Sequence, residues 1–457
     1  MADKSKNIAI VGGGLVGSLL SLYLARRGYN NITVFERRSD MRKSGAEAGR
    51  SINLALSTRG LVALNELGLA EATKEIAIPM HGRMIHDVTG KLSFQPYGKQ
   101  GQFINSVSRS DLNGMLMNAA EKSGVTFLFD QRCIQVDIQS TSLFTIDSAS
   151  FVPGVAIQPE GTDVKKFDLI AGADGAFSAV RSSMQYSDRF DFSQDFIDHG
   201  YKELRIPPGE NGEFQLEKNA LHIWPRESFM MIALPNPDGS FTCTLFLPFD
   251  GAQSFSSLTD DDKIMRFFNR HFPDAVALIP SLLSDFRVNP TSSLVTMKCF
   301  PWAKNNSFLI GDAAHAVVPF YGQGMNAGFE DCRILNELLE RHNDDWSLVL
   351  REFQSQRKPD SDAIAQLALD NFIEMRDHVA DREFLIRKKI EARLHELYPD
   401  RWIPQYTMVT FSPEIRYSDA YTIGQRQKVI MDGVMQKTGV TENWESLDFE
   451  DIVRQLR

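Results

Sequence analysis

A glycine-rich segment near the start of the chain has the residue types and the spacing to bind a dinucleotide. Gly12, Gly14 and Gly17 follow the apolar residues 8–11 and fit the pattern G-x-G-x-x-G. Glycines at these positions allow a tight turn, let backbone amides approach a pyrophosphate, and let a helix pack against a strand. The helix that follows would point its N-terminus at the phosphate charge. Glu36, which closes the next apolar run, is placed to accept hydrogen bonds from a ribose.

This chemistry requires a strand, a turn and a helix, yet the same segment has the outline of an export signal or a membrane anchor. No charged residue occurs between Lys6 and Arg26. A signal peptide would need small residues at a cleavage site, and the segment LARRGY lacks them. Apolar residues recur at helical spacing after the glycines. We therefore interpret residues 7–25 as the buried first strand, turn and helix of a parallel sheet.

Two further segments each join an apolar strand to a short acidic turn. In one, residues 167–172 run into Asp174 and then a helix. In the other, residues 307–310 run into a Gly-Asp turn at Asp312, and the glycine-rich residues 319–328 then open another helix. Either segment alone could be an ordinary strand–turn–helix connection. The N-terminus of the second helix could stabilise negative charge on a bound ligand, and Asp312 could accept a hydrogen bond from a ligand hydroxyl.

The three motifs in this order resemble those of the class A flavoprotein aromatic hydroxylases, the p-hydroxybenzoate hydroxylase type. The resemblance implies bound FAD and, since no second G-x-G-x-x-G follows a strand, NADPH as a transient co-substrate. It implies that Asp174 and Arg181 lie near the pyrophosphate and the nicotinamide path, and that Asp312 contacts the riboflavin part. Arg109 in SVSRSDLN matches an arginine near the cofactor, whereas His315 is interpreted as structural. The cofactor-binding residues implied in this way are Gly12, Gly14, Leu15, Gly17, Glu36, Ala55, Arg109, Asp174, Asp312, Gly324, Met325 and Asn326.

Longer segments are similar to the kynurenine 3-monooxygenase family within that class. They are residues 49–60, 80–87, 95–98, 200–204, 219–236, 241–249, 318–332, 368–375 and 404–411. The resemblance implies an FAD-dependent oxidoreductase that hydroxylates L-kynurenine to 3-hydroxy-L-kynurenine with NADPH and O2, through a flavin C4a-hydroperoxide, in tryptophan degradation. The flavin would carry the chemistry, so no side chain is assigned as catalytic.

The same resemblance implies the residues that hold the amino-acid end of the substrate. Arg83 and Tyr97 match residues that bind the kynurenine carboxylate, and Asn371 and Tyr406 match further polar contacts. Arginine suits this role because its guanidinium binds a carboxylate through two parallel hydrogen bonds, which lysine does not.

Apolar positions are implied around the ring. Pro319 and Phe320 match residues beside the flavin, and Met375 and residues 221–223 would line the aromatic pocket. Tyr321 departs from the family pattern, in which relatives carry His or Phe. Tyrosine retains an aromatic ring at this position and adds a hydroxyl group. It is not assigned a catalytic role.

Composition limits the kinds of partner. The chain of 457 residues has 49 basic and 59 acidic side chains, a net charge of −10. This balance disfavours nucleic acid, which needs a net basic face, but not a small anionic substrate. The four cysteines form no CxxC pair, so a structural metal site is not expected. We expect them to be reduced thiols in a cytoplasmic protein. The chain ends without a hydrophobic anchor, so a soluble protein is expected, although a truncated membrane-anchored form would end in the same way.

The expected fold is α/β: a Rossmann-like FAD-binding domain, an antiparallel-sheet substrate domain and a C-terminal helical region. The FAD domain is assigned to residues 1–72, 102–182 and 296–360. Residues 73–101 and 183–295 form the substrate domain, with the ligand expected at the domain interface, and 361–457 form a helical cap.

Alternatives remain at this point. The chain could be another aromatic hydroxylase or an epoxidase of the same fold, or a binding protein that has lost its flavin. A basic cluster at residues 387–393 could be a solvated helix face or a membrane-surface face. The preference for NADPH over NADH and the oligomeric state stay open.

Overall fold

After Leu309 the described part of the chain forms helices and turns, whereas strands dominate before it. The computed structural model describes residues 3–43, 53–99, 101–152, 161–375 and 382–456. The strands are β1 (Asn7–Val11), β2 (Asn31–Phe35), β3 (Asn53–Leu56), β4 (Ala77–Met80), β5 (Gly82–His86), β6 (Leu92–Pro96), β7 (Ile104–Ser108), β8 (Thr126–Leu128), β9 (Gln131–Asp137), β10 (Ser142–Asp147), β11 (Asp163–Lys166), β12 (Leu169–Gly172), β13 (Asp191–Ile206), β14 (Ala220–Arg226), β15 (Phe229–Pro235), β16 (Phe241–Pro248), β17 (Ser292–Phe300), β18 (Ala303–Lys304) and β19 (Ser307–Leu309). The helices are α1 (Leu15–Arg26), α2 (Thr58–Glu66), α3 (Ala70–Glu75), α4 (Arg109–Lys122), α5 (Ala179–Met184), α6 (Asp261–His271), α7 (Pro273–Val276), α8 (Leu282–Val288), α9 (Asp312–His315), α10 (Gly324–Arg341), α11 (Trp346–Ile373), α12 (Arg382–Leu397), α13 (Gln405–Phe411), α14 (Tyr417–Met435), α15 (Val440–Asn443) and α16 (Phe449–Arg454).

The chain divides into two compact units, each built from several segments. The first unit is Met1–Ala77, Val107–Asp195 and Val295–Ala365, and the second is Ile78–Ser106, Phe196–Leu294 and Gln366–Arg457. The helices after Gln366 belong to the same unit as the antiparallel sheet, whereas the sequence-based division made them a separate region. Of the segments with a family resemblance, residues 49–52 lie outside the described part, as do residues 376–381 of the expected C-terminal helices.

The first unit is organised by a six-stranded sheet with the order β18-β19-β12-β1-β2-β8. β1 lies in its middle and pairs in parallel with β12 and β2, so that Ile10 is opposite both Ala171 and Val34. Isoleucine and valine fit this place because a parallel sheet is covered on both faces. The uncharged N-terminal segment is therefore β1, the glycine turn and α1, and its residues Ile8, Leu19 and Leu22 are fully buried.

The second unit contains a seven-stranded sheet with the order β17-β13-β16-β15-β14-β5-β6. β13, β16, β15 and β14 are joined as antiparallel neighbours, and β5 pairs in parallel with β14. The turn between β15 and β16 is closed by the Asn236 amide, which donates to the carbonyl of Ser240. Side chains of this sheet such as Trp224 and Phe229 form a core with Phe268 of α6. The antiparallel sheet expected within residues 183–295 is therefore present.

The C-terminal helices of the second unit have a core of their own, which includes Ile390, Trp402 and Met431. The basic cluster on α12 is largely paired: Arg387 contacts Glu391 and Asp432, and Lys388 contacts Glu374. These pairs favour a solvated, ion-paired face over a membrane-surface face. Among the described residues, no helix is both long enough and apolar enough to cross a bilayer.

A buried hydrogen-bond chain lies on the face of the large sheet that packs against α7. Asp274 accepts from His86 Nδ1 at 2.6 Å, and the His86 and His222 rings meet at 2.8 Å between Nε2 and Nδ1. His222 Nε2 lies 2.9 Å from the carbonyl oxygen of Glu217. Burial lowers the pKa of His222 from its ordinary 6.5 to about 4, with the neighbouring His86 acting in the same direction.

The depressed pKa of His222 predicts an acid-sensitive fold. The unfolded chain binds a proton at His222 below about pH 6.5, whereas the folded chain resists it until about pH 4. The contribution of neutral His222 to the free energy of unfolding is therefore fully present above pH 6.5. It falls by up to roughly 3 kcal/mol as the pH drops through this window. Thermal unfolding of His222→Gln between pH 7 and pH 4 should show a shallower fall in Tm than the wild type. The exposed His81→Gln is the control, and an unchanged slope in His222→Gln would contradict the assignment.

Candidate active site

The glycine turn brings its backbone segments too close together for side chains. A Cβ on Gly17 would lie 1.9 Å from the carbonyl oxygen of Gly12. Gly12 itself has a φ of +102°, and a Cβ there would lie 2.4 Å from the carbonyl oxygen of Ala173. Only glycine meets both conditions, and α1 consequently begins directly over the end of β1. A Cβ on Gly14 would meet nothing within 4 Å, so this position is open.

Two polar side chains support the turn. Glu36, at the end of β2, accepts from the amide of Gly13 at 2.8 Å and from the amide of Arg38 at 2.9 Å. Asn113 of α4 donates to the carbonyl of Gly13 at 3.0 Å, while its Oδ1 is buried with no partner among the described residues. The sequence-based reasoning missed Asn113. Its one signal was its position one helical turn after Arg109.

Asp174 offers an unused acceptor beside the turn. Its Oδ2 accepts from the amide of Ala179 at 2.7 Å, and its Oδ1 is buried with no hydrogen-bond partner in the described chain. Burial raises the pKa of Asp174, opposed by hydrogen bonds from Ser178 and Ala179. Buried acceptors are rarely left unsatisfied, so this oxygen is suited to a donor on a bound ligand.

Arg181 links two turns of the first unit. It is buried, and its guanidinium donates to the carbonyl of Ala313 at 2.9 Å and to that of Ala176 at 2.5 Å. Arg181 therefore ties the Asp174 turn to the Asp312 turn. These bonds to Ala313 and Ala176 are structural, whereas the buried Nε of Arg181 has no hydrogen-bond partner among the described residues.

Asp312 and Arg109 are brought within electrostatic reach of each other. Asp312 begins α9 directly after Gly311, whose φ is +62°, and its side chain is accessible to solvent. Desolvation by surrounding protein atoms raises the pKa of Asp312, and the positive charge of Arg109 opposes that rise. An accessible carboxylate crowded by protein atoms is expected in an open cleft.

The start of α10 completes this side of the site. Asn326 is fully buried: its Oδ1 accepts from the amide of Ser57 at 3.0 Å, and its Nδ2 donates to the carbonyls of Ala55 and Gly322 at 2.9 and 2.8 Å. Its side chain thus joins residues 55–57 to the entry of α10, and both of its N–H donors are used within the protein. Gly324 and Met325 form the first turn, where free backbone N–H groups attract negative charge.

A second group of predicted residues comes together within the second unit. Arg83 of β5 is buried, with its guanidinium carbon 5.7 Å from the ring centre of Tyr97 and 5.3 Å from that of Tyr406. The two rings are stacked, 5.6 Å apart with 12° between their planes. Burial raises the pKa of both tyrosines, and Arg83 opposes the rise. Both phenols therefore keep their protons at neutral pH and can donate beside a guanidinium.

The end of α11 lies close to this group. Asn371 is buried, with its Nδ2 3.2 Å from the sulfur of Met375. The charge of Glu374 also raises the pKa of Tyr406, which places this segment near the tyrosine. Leu221 is paired with Arg83 across β14 and β5, so it presents an apolar side chain on the same face of the sheet.

The ring-side residues of the first unit follow α9 in a short 3₁₀ turn, Pro319–Tyr321. Pro319 is exposed, whereas Phe320 and Tyr321 are buried. The turn ends at Gly322 and leads directly into α10. It therefore presents one proline at the surface next to the helix N-terminus.

Comparison with known proteins assigns the family. The family described as "FAD binding domain" matches residues 5–366. The chain is 48% identical to the kynurenine 3-monooxygenase of Christiangramia forsetii over 99% of both chains. It is 46% identical to that of Sus scrofa over 93% of this chain and 88% of the relative. The chain belongs to the FAD-binding kynurenine 3-monooxygenase family.

Solved structures of similar fold are more distant in sequence. One is 2-methyl-3-hydroxypyridine-5-carboxylic acid oxygenase, with a TM-score of 0.65 and 19% identity over 90% of this chain and 98% of the other. Another is PqsL of Pseudomonas aeruginosa in complex with 2-aminobenzoylacetate, with a TM-score of 0.63 and 18% identity over 81% and 99%. These two support the α/β flavoprotein hydroxylase fold.

The residues present fit FAD. The close glycine turn leaves backbone amides at an open position, and the buried Oδ1 of Asp174 lacks a donor within the described chain. Two further acceptors are the carboxylates of Glu36 and Asp312, and the first turn of α10 adds a set of backbone donors. A dinucleotide with a pyrophosphate, two polyol regions and a ring that becomes negative would use each of these groups.

The contrast between two glycines predicts separable effects on folding and on cofactor binding. Gly17→Ala places a Cβ against the Gly12 carbonyl and should lower Tm by several degrees and reduce the yield of folded protein. Gly14→Ala meets no protein atom and should fold normally, but it should weaken FAD binding about tenfold or more, because the methyl group occupies the approach to the pyrophosphate. Tm and flavin content measure the two effects. Equal loss of Tm in both variants would contradict this division.

Proposed function

We propose that this protein is an FAD-dependent monooxygenase that converts L-kynurenine to 3-hydroxy-L-kynurenine with NADPH and O2, in tryptophan degradation. The observation that carries the proposal is Arg83, buried beside two protonated tyrosines in a chain 46 to 48% identical to kynurenine 3-monooxygenases. FAD would accept a hydride from NADPH and use it to activate O2. Binding and orienting the substrate are the functions of the residues of this chain.

The substrate's own chemistry reduces what the protein must supply. The amino group on the aromatic ring donates electrons to the carbon beside it, which is the carbon to be hydroxylated. A side-chain base is therefore not required to activate the ring. The protein must hold the ring in one orientation and exclude water, which would divert the activated oxygen to hydrogen peroxide.

Arg83 is proposed to bind the substrate carboxylate at the end remote from the reacting carbon. The guanidinium matches a carboxylate through two parallel hydrogen bonds. The Tyr97 and Tyr406 hydroxyls can each add a bond, since both remain protonated, and the amide of Asn371 supplies a further polar contact. Met375 and Leu221 would pack against the aromatic part. Fixing the amino-acid end in this way fixes the orientation of the ring.

The first unit is proposed to hold the cofactor. Glu36 would accept from the adenosine ribose, Asp174 would lie near the pyrophosphate, and Asp312 would accept from a ribityl hydroxyl. Gly12, Gly14, Leu15, Gly17, Ala55 and Arg109 would surround the phosphates and the flavin, and Pro319 and Phe320 would lie beside its ring. Gly324, Met325 and Asn326 would offer backbone N–H groups there, since the Asn326 side chain is already bonded within the protein.

The proposal also includes a domain assignment and a cellular location. Residues 1–72, 102–182 and 296–360 are proposed as the FAD-binding domain, with 73–101 and 183–295 as the substrate domain and 361–457 as a helical cap. A cytoplasmic location is supported by the four cysteines, which are all free thiols and three of which are buried.

Replacing Arg83 tests the proposed substrate site. Arg83→Met keeps much of the apolar stem but removes the cation, and should lower kcat/KM for kynurenine about a hundredfold or more, since loss of a desolvated charge partner costs about 3 kcal/mol. FAD content should stay at the wild-type level. The readout is kynurenine-dependent oxidation of NADPH. The control is Arg205→Met, because Arg205 is an exposed arginine of the same sheet, paired with Asp238. A normal KM in Arg83→Met would rule out the assignment.

A further inference from the structure

A buried carboxylate on α10 has no place in the proposed ligand contacts. Asp331 is fully buried, and its Oδ2 accepts from the amide of Gly311 at 3.2 Å and from His315 Nε2 at 2.6 Å. Its Oδ1 accepts from Arg357 Nε at 2.8 Å. Three donors from two other segments of the first unit thus converge on one side chain.

The two bonds to Oδ2 bracket the turn that carries Asp312. Gly311 precedes Asp312 directly, and His315 ends the single turn of α9 that Asp312 begins. One oxygen atom therefore holds both ends of this short helix. Ala313, between them, is held by Arg181 through its carbonyl. A four-residue helix has little stability alone, so its direction depends on these outside contacts.

Asp331 is ionised under all ordinary conditions. Burial alone would oppose its charge, but His315 and Arg357 lower the pKa of Asp331 to about 2. Charge-assisted hydrogen bonds are about twice as strong as neutral ones. The bracket on α9 is therefore strong, and the Asp331 charge also contributes to the raised pKa of Asp312.

A neighbouring carboxylate shows what a purely structural ion pair looks like here. Glu330 contacts Arg59 at 2.6 Å and Arg357 at 2.8 Å. It is as well buried as Asp331, and it shares Arg357 with it. Within the described part of the chain, its ion-pair partners are arginines on α2 and α11 and do not include the α9 turn. Glu330 therefore provides a matched control for the loss of buried charge.

We propose that Asp331 is a positioning residue for FAD: with His315 as its second arm, it aims the Asp312 carboxylate at the ribityl chain. His315 then has a defined part in cofactor binding, although it touches no ligand. The inference rests on FAD binding at Asp312 and not on the identity of the aromatic substrate, so it stands even if the substrate is another aromatic compound.

Asp331→Asn tests the proposal against Glu330→Gln. Asparagine can keep one oxygen but turns an N–H group toward one of the former donors, so the bracket at Gly311 and His315 or the bond to Arg357 is lost. We expect at least tenfold faster or more extensive FAD release from the holoenzyme, measured by flavin fluorescence on dilution. The visible circular dichroism of the flavin that remains bound should also change. Glu330→Gln should lower Tm by a similar amount yet leave FAD release within about twofold and the flavin spectrum unchanged.

A pair of His315 variants gives an independent test by conservative rescue. Gln can place an amide N–H near the position of Nε2 and donate to Asp331, whereas Leu cannot. His315→Gln should retain FAD within about threefold of wild type, and His315→Leu should release it about tenfold more readily. Equal retention in these two variants, or wild-type retention and spectrum in Asp331→Asn, would overturn the proposal. If Asp331→Asn does not fold, the His315 pair decides the question alone.

Discussion

The closeness of backbone to backbone at the first glycine turn is the constraint on which the cofactor site depends. With 1.9 Å between the Gly12 carbonyl oxygen and a hypothetical Cβ on Gly17, α1 can begin over the end of β1 only if Gly17 has no side chain. The same approach brings Val16 against two other glycines, Gly311 and Gly328, where a Cβ would lie 3.0 and 2.6 Å from it. Three segments distant in sequence therefore pack closely around the Val16 side chain at positions where only glycine fits.

Much of this first unit could be predicted because its signals are local. The order of apolar run, glycines, helix and acid identified β1, α1, β2 and Glu36 from residues adjacent in the chain. The uncharged segment looked like a membrane anchor only while its burial in a parallel sheet was unknown. The sequence does not predict which of these side chains form hydrogen bonds to other protein groups. Arg181 and Asn326 lie in recognisable motifs, yet tertiary partners use their donors.

In the second unit, the site residues could be predicted from family resemblance but not from local sequence patterns. Alternation along β5 and β14 can place Arg83 and Leu221 on one face of a sheet, but no periodicity brings Tyr97 and Tyr406 to that guanidinium. Those tyrosines were identified through family resemblance, and the geometry supplies the physical reason. Two buried phenols that keep their protons, beside a buried cation, form a site in which a carboxylate would be well satisfied. The network around Asp331 had no sequence signal, since its members lie on α9, α10 and α11, which are separated in sequence.

The central claim is that the activated oxygen is delivered to one ring carbon of kynurenine. The most direct measurement is mass analysis of the product after incubation of the holoenzyme with L-kynurenine, NADPH and isotopically labelled O2. We expect 3-hydroxy-L-kynurenine that carries a single labelled oxygen atom, formed in proportion to the NADPH consumed. Oxidation of NADPH with hydrogen peroxide as the only oxygen product, or with label on another aromatic compound but not on kynurenine, would contradict it.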